Sequence, residues 1–170
     1  LDNTFSGIKE IYQYPFFVSK DDVADWPLIG MLARLGHTIF VDRSRKQKVK
    51  KTVDDIASRL KKGFTVAVFP EGQATDGSDV IPFKTSYFEA AVLSEKPVVP
   101  VMIRYLDPNS PSVACWMDRT FASHFFTLLK NPILEAQILI FPEIFPEGNR
   151  RHLARKSYFM IRKAYKNISD

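Results

Sequence analysis

The chemically most pointed stretch of the chain is Val66-Ala67-Val68-Phe69-Pro70-Glu71-Gly72, where a carboxylate follows an apolar run and precedes a glycine. Phe64 to Phe69 is unbroken and rich in Val and Phe. Bounded by Gly63 and Pro70, it reads as a buried strand of a mostly parallel sheet. Pro70 cannot donate to a ladder, and Glu71-Gly72 then turns the chain and lets its backbone come close to whatever sits at the sheet's carboxyl edge. In open α/β sheets that edge is where ligands bind. An ordinary exposed turn has the same Pro-Glu-Gly composition, so the surroundings must decide.

Other reactive side chains offer less. His37 stands at a strand start, His124 in an aromatic helix and His152 at a helix beginning, and each reads as structural or solvated. The lone cysteine, Cys115, permits no internal disulfide and agrees with a reducing compartment; between Ala114 and Trp116 it reads as a small buried thiol in a strand. No metal-ligand spacing occurs, and no metal or resident cofactor is expected. Arg43, Arg45, Lys46, Lys48, Lys50 and Lys51 crowd together within a chain of net charge +5. Such a run is either the solvated start of a helix or a surface for phosphates, lipid headgroups or nucleic acid. The interleaved aromatics of a single-strand nucleic-acid platform are missing, so nucleic acid is not an expected partner.

The elements that must position these residues follow from periodicity. Tyr14 to Ser19 reads as a strand, Trp26 to Gly36 as a short helix with Pro27 in its first turn, and His37 to Asp42 as a strand. Val49, Val53, Ile56, Ala57 and Leu60 share one face of a helix that begins near Lys48 and is closed by Gly63. The strand before Glu71 completes a strand-helix-strand crossover, which places two strands parallel in one sheet. Thr85 to Leu93 resumes a helix, and Val98 to Arg104 is a strand in which Pro100 requires an edge or a bulge. A loop over Asp107 to Ser112, a short strand over Val113 to Trp116, a helix over Phe121 to Leu129, a strand over Ala136 to Phe141 and a helix over Arg150 to Tyr165 follow. At 170 residues with 45% hydrophobic content, the chain can bury one core. The expectation is a single-domain layered α/β fold over residues 1–170, a mixed, mostly parallel sheet flanked by helices, with no membrane-spanning run.

Several separated pieces resemble one family, the glycerolipid acyltransferases typified by 1-acylglycerol-3-phosphate acyltransferase. Gly36-His37-Thr38-Ile39-Phe40-Val41-Asp42-Arg43 resembles that family's second block, Phe69-Pro70-Glu71-Gly72 its third and Val99-Pro100-Val101 its fourth. Pro82-Phe83-Lys84, Ala90-Ala91 and Trp26-Pro27-Leu28-Ile29-Gly30 are similar as well, so the resemblance spans nearly the whole chain. The family's first block is H-x-x-x-x-D. With Asp2 as its aspartate, the histidine falls upstream of Leu1, so the chain reads as an acyltransferase domain truncated at its N-terminus and inactive as it stands.

The resemblance implies phospholipid biosynthesis at a membrane: transfer of a fatty acyl group from acyl-CoA or acyl-ACP to the free hydroxyl of 1-acylglycerol 3-phosphate or a related lysophospholipid. A neutral imidazole takes the hydroxyl proton as the oxygen attacks the thioester carbonyl. Asp2 orients that imidazole and stabilises the imidazolium, as in a Ser-His-Asp arrangement whose serine is replaced by the substrate hydroxyl. Arg43 offers a planar fork to the acceptor phosphate, Gly72 lets loop amides approach, and Lys84 adds a point charge. Glu71 is expected to bond Arg43, the acceptor's hydroxyls or backbone amides, with Phe69, Pro70 and Pro100 shaping the site. The family's third block often continues Thr-Arg, whereas this chain has Gln73-Ala74-Thr75, so one phosphate-binding arginine is replaced. The basic run is expected to meet an anionic membrane surface on the cytoplasmic face. The competing expectation is a catalytically inactive lipid- or membrane-binding domain.

Overall fold

The computed structural model describes residues 15–26, 29–41, 46–106, 114–115, 121–130 and 133–169. Strand β1 (Phe16–Lys20) leads through a 3-10 turn, Asp21–Asp25, into helix α1 (Ile29–Leu35), strand β2 (Ile39–Val41), helix α2 (Lys46–Lys61) and strand β3 (Val66–Ala67). β1 is central and pairs in parallel with both β2 and β3, Val18 opposite Ile39 and Phe16 opposite Val66. The expected parallel crossover from β2 through α2 to β3 is therefore present, with β1 between its two strands. Its α2 face buries Val53, Ile56 and Ala57 against Val18, Ile39 and Val41. The helix stops where Gly63 adopts φ +86°, with the Phe64 amide reaching back to the Arg59 carbonyl at 3.1 Å.

Beyond β3, a long loop runs to helix α3 (Phe88–Ser94), then strand β4 (Val101–Leu106), helix α4 (Phe121–Leu129), strand β5 (Glu135–Ile140) and helix α5 (Arg150–Ser169). β4 and β5 form an antiparallel pair, Val101 opposite Ile140 and Leu106 opposite Glu135. The fold is thus mixed α/β with a parallel sheet and flanking helices. Among the described elements α3 alone packs against both α2 and α5. Short side chains permit this close approach: Ala90 and Ala91 are buried, and the Ser94 hydroxyl donates to the Ala90 carbonyl at 2.6 Å. On the α5 side, Phe88 and Ala91 meet Ile144, Leu153 and Ala154, while Val80, Met102 and Ile161 form a neighbouring cluster.

Four expectations need correction. The run from Phe64 to Phe69 is not a buried strand: only Val66–Ala67 pairs, and Phe64 and Phe69 are 44% and 59% exposed. The reason is that β3 has a partner on one side only among the described strands; Phe64 instead sets its ring edge-on to Phe16, 5.3 Å away. Pro100 lies neither within an edge strand nor at a bulge. It is buried just before β4, where its missing N–H costs no ladder bond, and its carbonyl accepts from the Phe141 amide at 3.0 Å. Ala114–Cys115 is turn rather than strand; Cys115 is half-buried and its Sγ donates to the Thr75 carbonyl at 3.3 Å. Finally, His37 belongs to the turn ending α1, not to β2. It takes φ 53° there, in the left-handed region, with the Thr38 amide returning to the Ala33 carbonyl at 2.9 Å. The loop over Asp107 to Ser112 lies outside the described residues. Among the described residues no helix is long and apolar enough to cross a membrane.

Candidate active site

The loop from Pro70 to Lys84 leaves the carboxyl end of β3, and three sets of contacts hold it. At its base the Lys84 amide donates to the Pro70 carbonyl at 2.8 Å, so the loop closes on itself. The turn at its start is tight: the Gly72 amide reaches the Phe69 carbonyl at 3.1 Å, and Gly72 sits at φ +70°, where a Cβ is strained. The half-buried Glu71 carboxylate turns inward, and its Oε1 accepts from the Ile81 amide across the loop at 3.3 Å.

Burial pushes the Glu71 carboxyl above the ordinary carboxylate range; the Ile81 N–H opposes this and the negative charge of Asp79 adds to it. The expectation that Glu71 bonds a backbone amide is met by Ile81. Its companion contact with Arg43 lies outside the described residues, as do Arg43, Arg45 and Asp2 themselves. Lys84 is exposed and contributes its backbone to the loop closure.

The outer part of the loop is bound to α5. Arg162 grips Asp79 with two prongs, Nη2 to Oδ2 at 2.6 Å and Nε to Oδ1 at 3.1 Å. This grip, together with the Val80 amide, holds the Asp79 carboxyl down at about 2. The Tyr165 hydroxyl donates to the Gly77 carbonyl, and the Asp76 carboxylate accepts from the Ser78 amide at 3.0 Å. Val80 then inserts its side chain between Met102 and Ile161. None of Asp79, Arg162 and Tyr165 was singled out from sequence. The bond joining Asp79 to Arg162 spans 83 residues and belongs to no local pattern.

The arrangement is a glycine-turned loop, tied at its base and to α5, that carries a partly desolvated carboxylate at the end of a parallel strand. It has the means to orient polar ligand groups by hydrogen bonding. Among the described residues no group of three or more His, Cys, Asp or Glu is placed to hold a metal ion.

The architecture has a solved counterpart. Over 92% of this chain and 57% of the other, it superposes with TM-score 0.64 and 17% identity on the 1-acyl-sn-glycerophosphate (LPA) acyltransferase, PlsC, from Thermotoga maritima. The acyltransferase family model matches residues 5–104, which take in β1, β2, β3 and the whole Glu71 loop, and the chain belongs to that family. Among similar proteins are the lyso-ornithine lipid O-acyltransferases of Rhodobacter capsulatus, 38% identical over 67% of this chain and 44% of its own length, and of Brucella abortus, 33% identical over 82% and 58%. The 1-acyl-sn-glycerol-3-phosphate acyltransferase of Neisseria gonorrhoeae is 26% identical over 58% of this chain and 38% of its own length. The chain thus spans about half the length, or less, of these relatives.

Proposed function

We propose that the full-length protein transfers a fatty acyl group from acyl-CoA or acyl-ACP to the free hydroxyl of a lysophospholipid or related lyso-lipid at a membrane surface. The observation that carries this reading is the Glu71 loop, closed by Lys84 and Ile81 and lying inside the stretch that matches the acyltransferase family. Asp2, five residues after the first block's histidine position, orients the imidazole that takes the acceptor's hydroxyl proton. No enzyme nucleophile takes part, so the acyl group passes in one displacement from thioester sulfur to the acceptor oxygen. Arg43 and Lys84 hold the acceptor's anionic group, and the basic start of α2, where Lys48, Lys50 and Lys51 are exposed, faces the membrane.

For the acceptor, two readings each have support. The blocks favour 1-acylglycerol 3-phosphate. Gln73-Ala74-Thr75 after Gly72, in place of a second arginine, together with the names of the Rhodobacter and Brucella relatives, favours a lyso-ornithine lipid, whose headgroup is an amino acid rather than a phosphate ester. Assay of the full-length protein with labelled acyl donor and either lysophosphatidate or lyso-ornithine lipid separates them by kcat/KM. Failure to acylate any lyso-lipid above the rate without protein leaves the lipid-binding domain as the surviving reading.

A further inference from the structure

Four residues of α5, Tyr158, Ile161, Arg162 and Tyr165, recur at i, i+3, i+4 and i+7 and so share one face of the helix. All four meet the outer part of the Glu71 loop. Tyr158 sets its ring edge-on to Phe83 at 5.5 Å, Ile161 packs in one buried cluster with Val80, Arg162 grips Asp79, and Tyr165 donates to the Gly77 carbonyl. As α5 runs forward from 158 to 165 the loop runs backward from 83 to 77, so one helix face holds it at four points in order.

The grip reaches Glu71 by a short path. Oδ1 of Asp79 accepts from Arg162 Nε at 3.1 Å and from the Val80 amide at 2.8 Å, and the next amide along, that of Ile81, donates to Glu71. Arg162 is itself flanked, its guanidinium 5.9 Å from the centre of the Tyr158 ring. With side chains 35% and 39% exposed, Arg162 and Asp79 form a pair of the kind that adds little to overall stability. Its effect is geometric: a two-pronged bond fixes direction as well as distance, and here it fixes the segment whose next peptide meets Glu71. The loop lies within residues 5–104, the stretch that matches the acyltransferase family, whereas the α5 face that shapes it lies beyond that stretch.

We propose that this face of α5 is the template for the acceptor's loop, and that Arg162 and Tyr165 are positioning residues for acyl transfer, acting through Asp79 and Gly77 on Glu71. The inference rests on the acyl transfer proposed above and deepens it. The part of these residues is to set where the Glu71 carboxylate stands when the lyso-lipid arrives.

The test compares steady-state kinetics of full-length wild type, Arg162→Gln, Arg162→Lys and Tyr165→Phe, with acyl-CoA and acyl-ACP in parallel as donors and lysophosphatidate and lyso-ornithine lipid as acceptors. Circular dichroism and thermal melting check the fold. Arg162→Gln is expected to raise the acceptor KM about tenfold, the low end for a lost charge-assisted bond because the effect is relayed, and to leave the donor KM unchanged. Arg162→Lys is expected to fall between, and Tyr165→Phe to act more weakly in the same direction. Combining Asp79→Asn with Arg162→Gln is expected to cost less than the sum of the two, since both cut one bond; full additivity overturns the proposal. A merely structural loss shrinks the folded fraction, which lowers the apparent kcat and leaves KM alone. An acceptor KM unchanged in Arg162→Gln therefore overturns the proposal, as does a rise shared equally by donor and acceptor. If wild type acylates neither lyso-lipid, the reading of function falls, and calorimetric binding of the same two lipids decides the positioning instead: affinity weakened by Arg162→Gln sustains it, and affinity unchanged or absent overturns it.

Discussion

The amide of Ile81 donates to Oε1 of Glu71 at 3.3 Å, so the carboxylate that begins the loop is held by a backbone group ten residues further on. A side chain in that position stabilises the loop and also places a carboxylate in the candidate site. These two roles are separable by substitution.

Glu71→Gln retains an oxygen for the Ile81 amide but loses the charge. Because burial raises the Glu71 pKa, the ionised form is disfavoured in the fold; its cost is absent at low pH and appears as pH rises through the folded value. Glu71→Gln is therefore expected to match or exceed wild type in thermal stability at neutral pH and to lose that advantage in acid. Glu71→Ala leaves the Ile81 N–H unpaired and is expected to cost about 1–3 kcal/mol. In the full-length enzyme both are expected to lower kcat/KM by on the order of tenfold or more, and a Glu71→Gln variant of wild-type rate would confine Glu71 to the scaffold.

Arg43→Ala is expected to lower kcat/KM for lysophosphatidate on the order of tenfold to a hundredfold, as the loss of a charge-assisted pair implies. Arg43→Lys keeps the charge without the fork and is expected to fall between. The comparison needs saturating acyl donor and an acceptor without phosphate: the preference for the phosphorylated acceptor collapses in Arg43→Ala. Survival of that preference moves the phosphate to Lys84 or Arg45.

Replacing Lys46, Lys48, Lys50 and Lys51 by Gln is expected to release the protein from anionic vesicles at low salt, since each cation near such a surface is worth about 1 kcal/mol. Cosedimentation with vesicles of graded anionic content reads this directly. Binding that persists undiminished makes the run a solvated helix face.

Asp79 supplies a pH dependence of the opposite sign to that of Glu71. Its carboxyl is held at about 2 against an ordinary 3.8, first by Arg162, so the stability this pair contributes is fully present above 3.8 and is lost as pH falls through about 2. Thermal melts across that interval are expected to fall more steeply for wild type than for Asp79→Asn. Parallel curves would mean that the grip of Arg162 adds nothing to holding the loop.

Much of the scaffold is legible in the sequence because its signals are local. The α2 stripe of Val53, Ile56 and Ala57 and its stop at Gly63, the bounds of α4, and the parallel placement of β2 and β3 all follow from periodicity and punctuation. What escapes depends on distant partners. Phe64 to Phe69 has a buried strand's composition, but pairing decides burial, and β3 lies at an edge. Pro100 punctuates β4 from just outside it. At the site, the motif around Glu71 is visible, whereas the contacts from Asp79 to Arg162 and from Gly77 to Tyr165 join segments more than eighty residues apart.

The seam at α3 bears on how the two sides of the site move. Where Ala90 and Ala91 lie buried, side chains end at Cβ, but the adjoining Tyr87 and Phe88 fill the clusters on either side, so the segment keys the sheet side to α5. Glu71 stands on the side of the parallel sheet, while Arg162 and Tyr165 ride on α5. Because Asp79 and Gly77 also tie the Glu71 loop to Arg162 and Tyr165, a displacement of α5 would carry the outer part of the loop with it. Bulk at Ala90, which is fully buried, would overpack that junction and be felt as lost stability before it is felt in turnover.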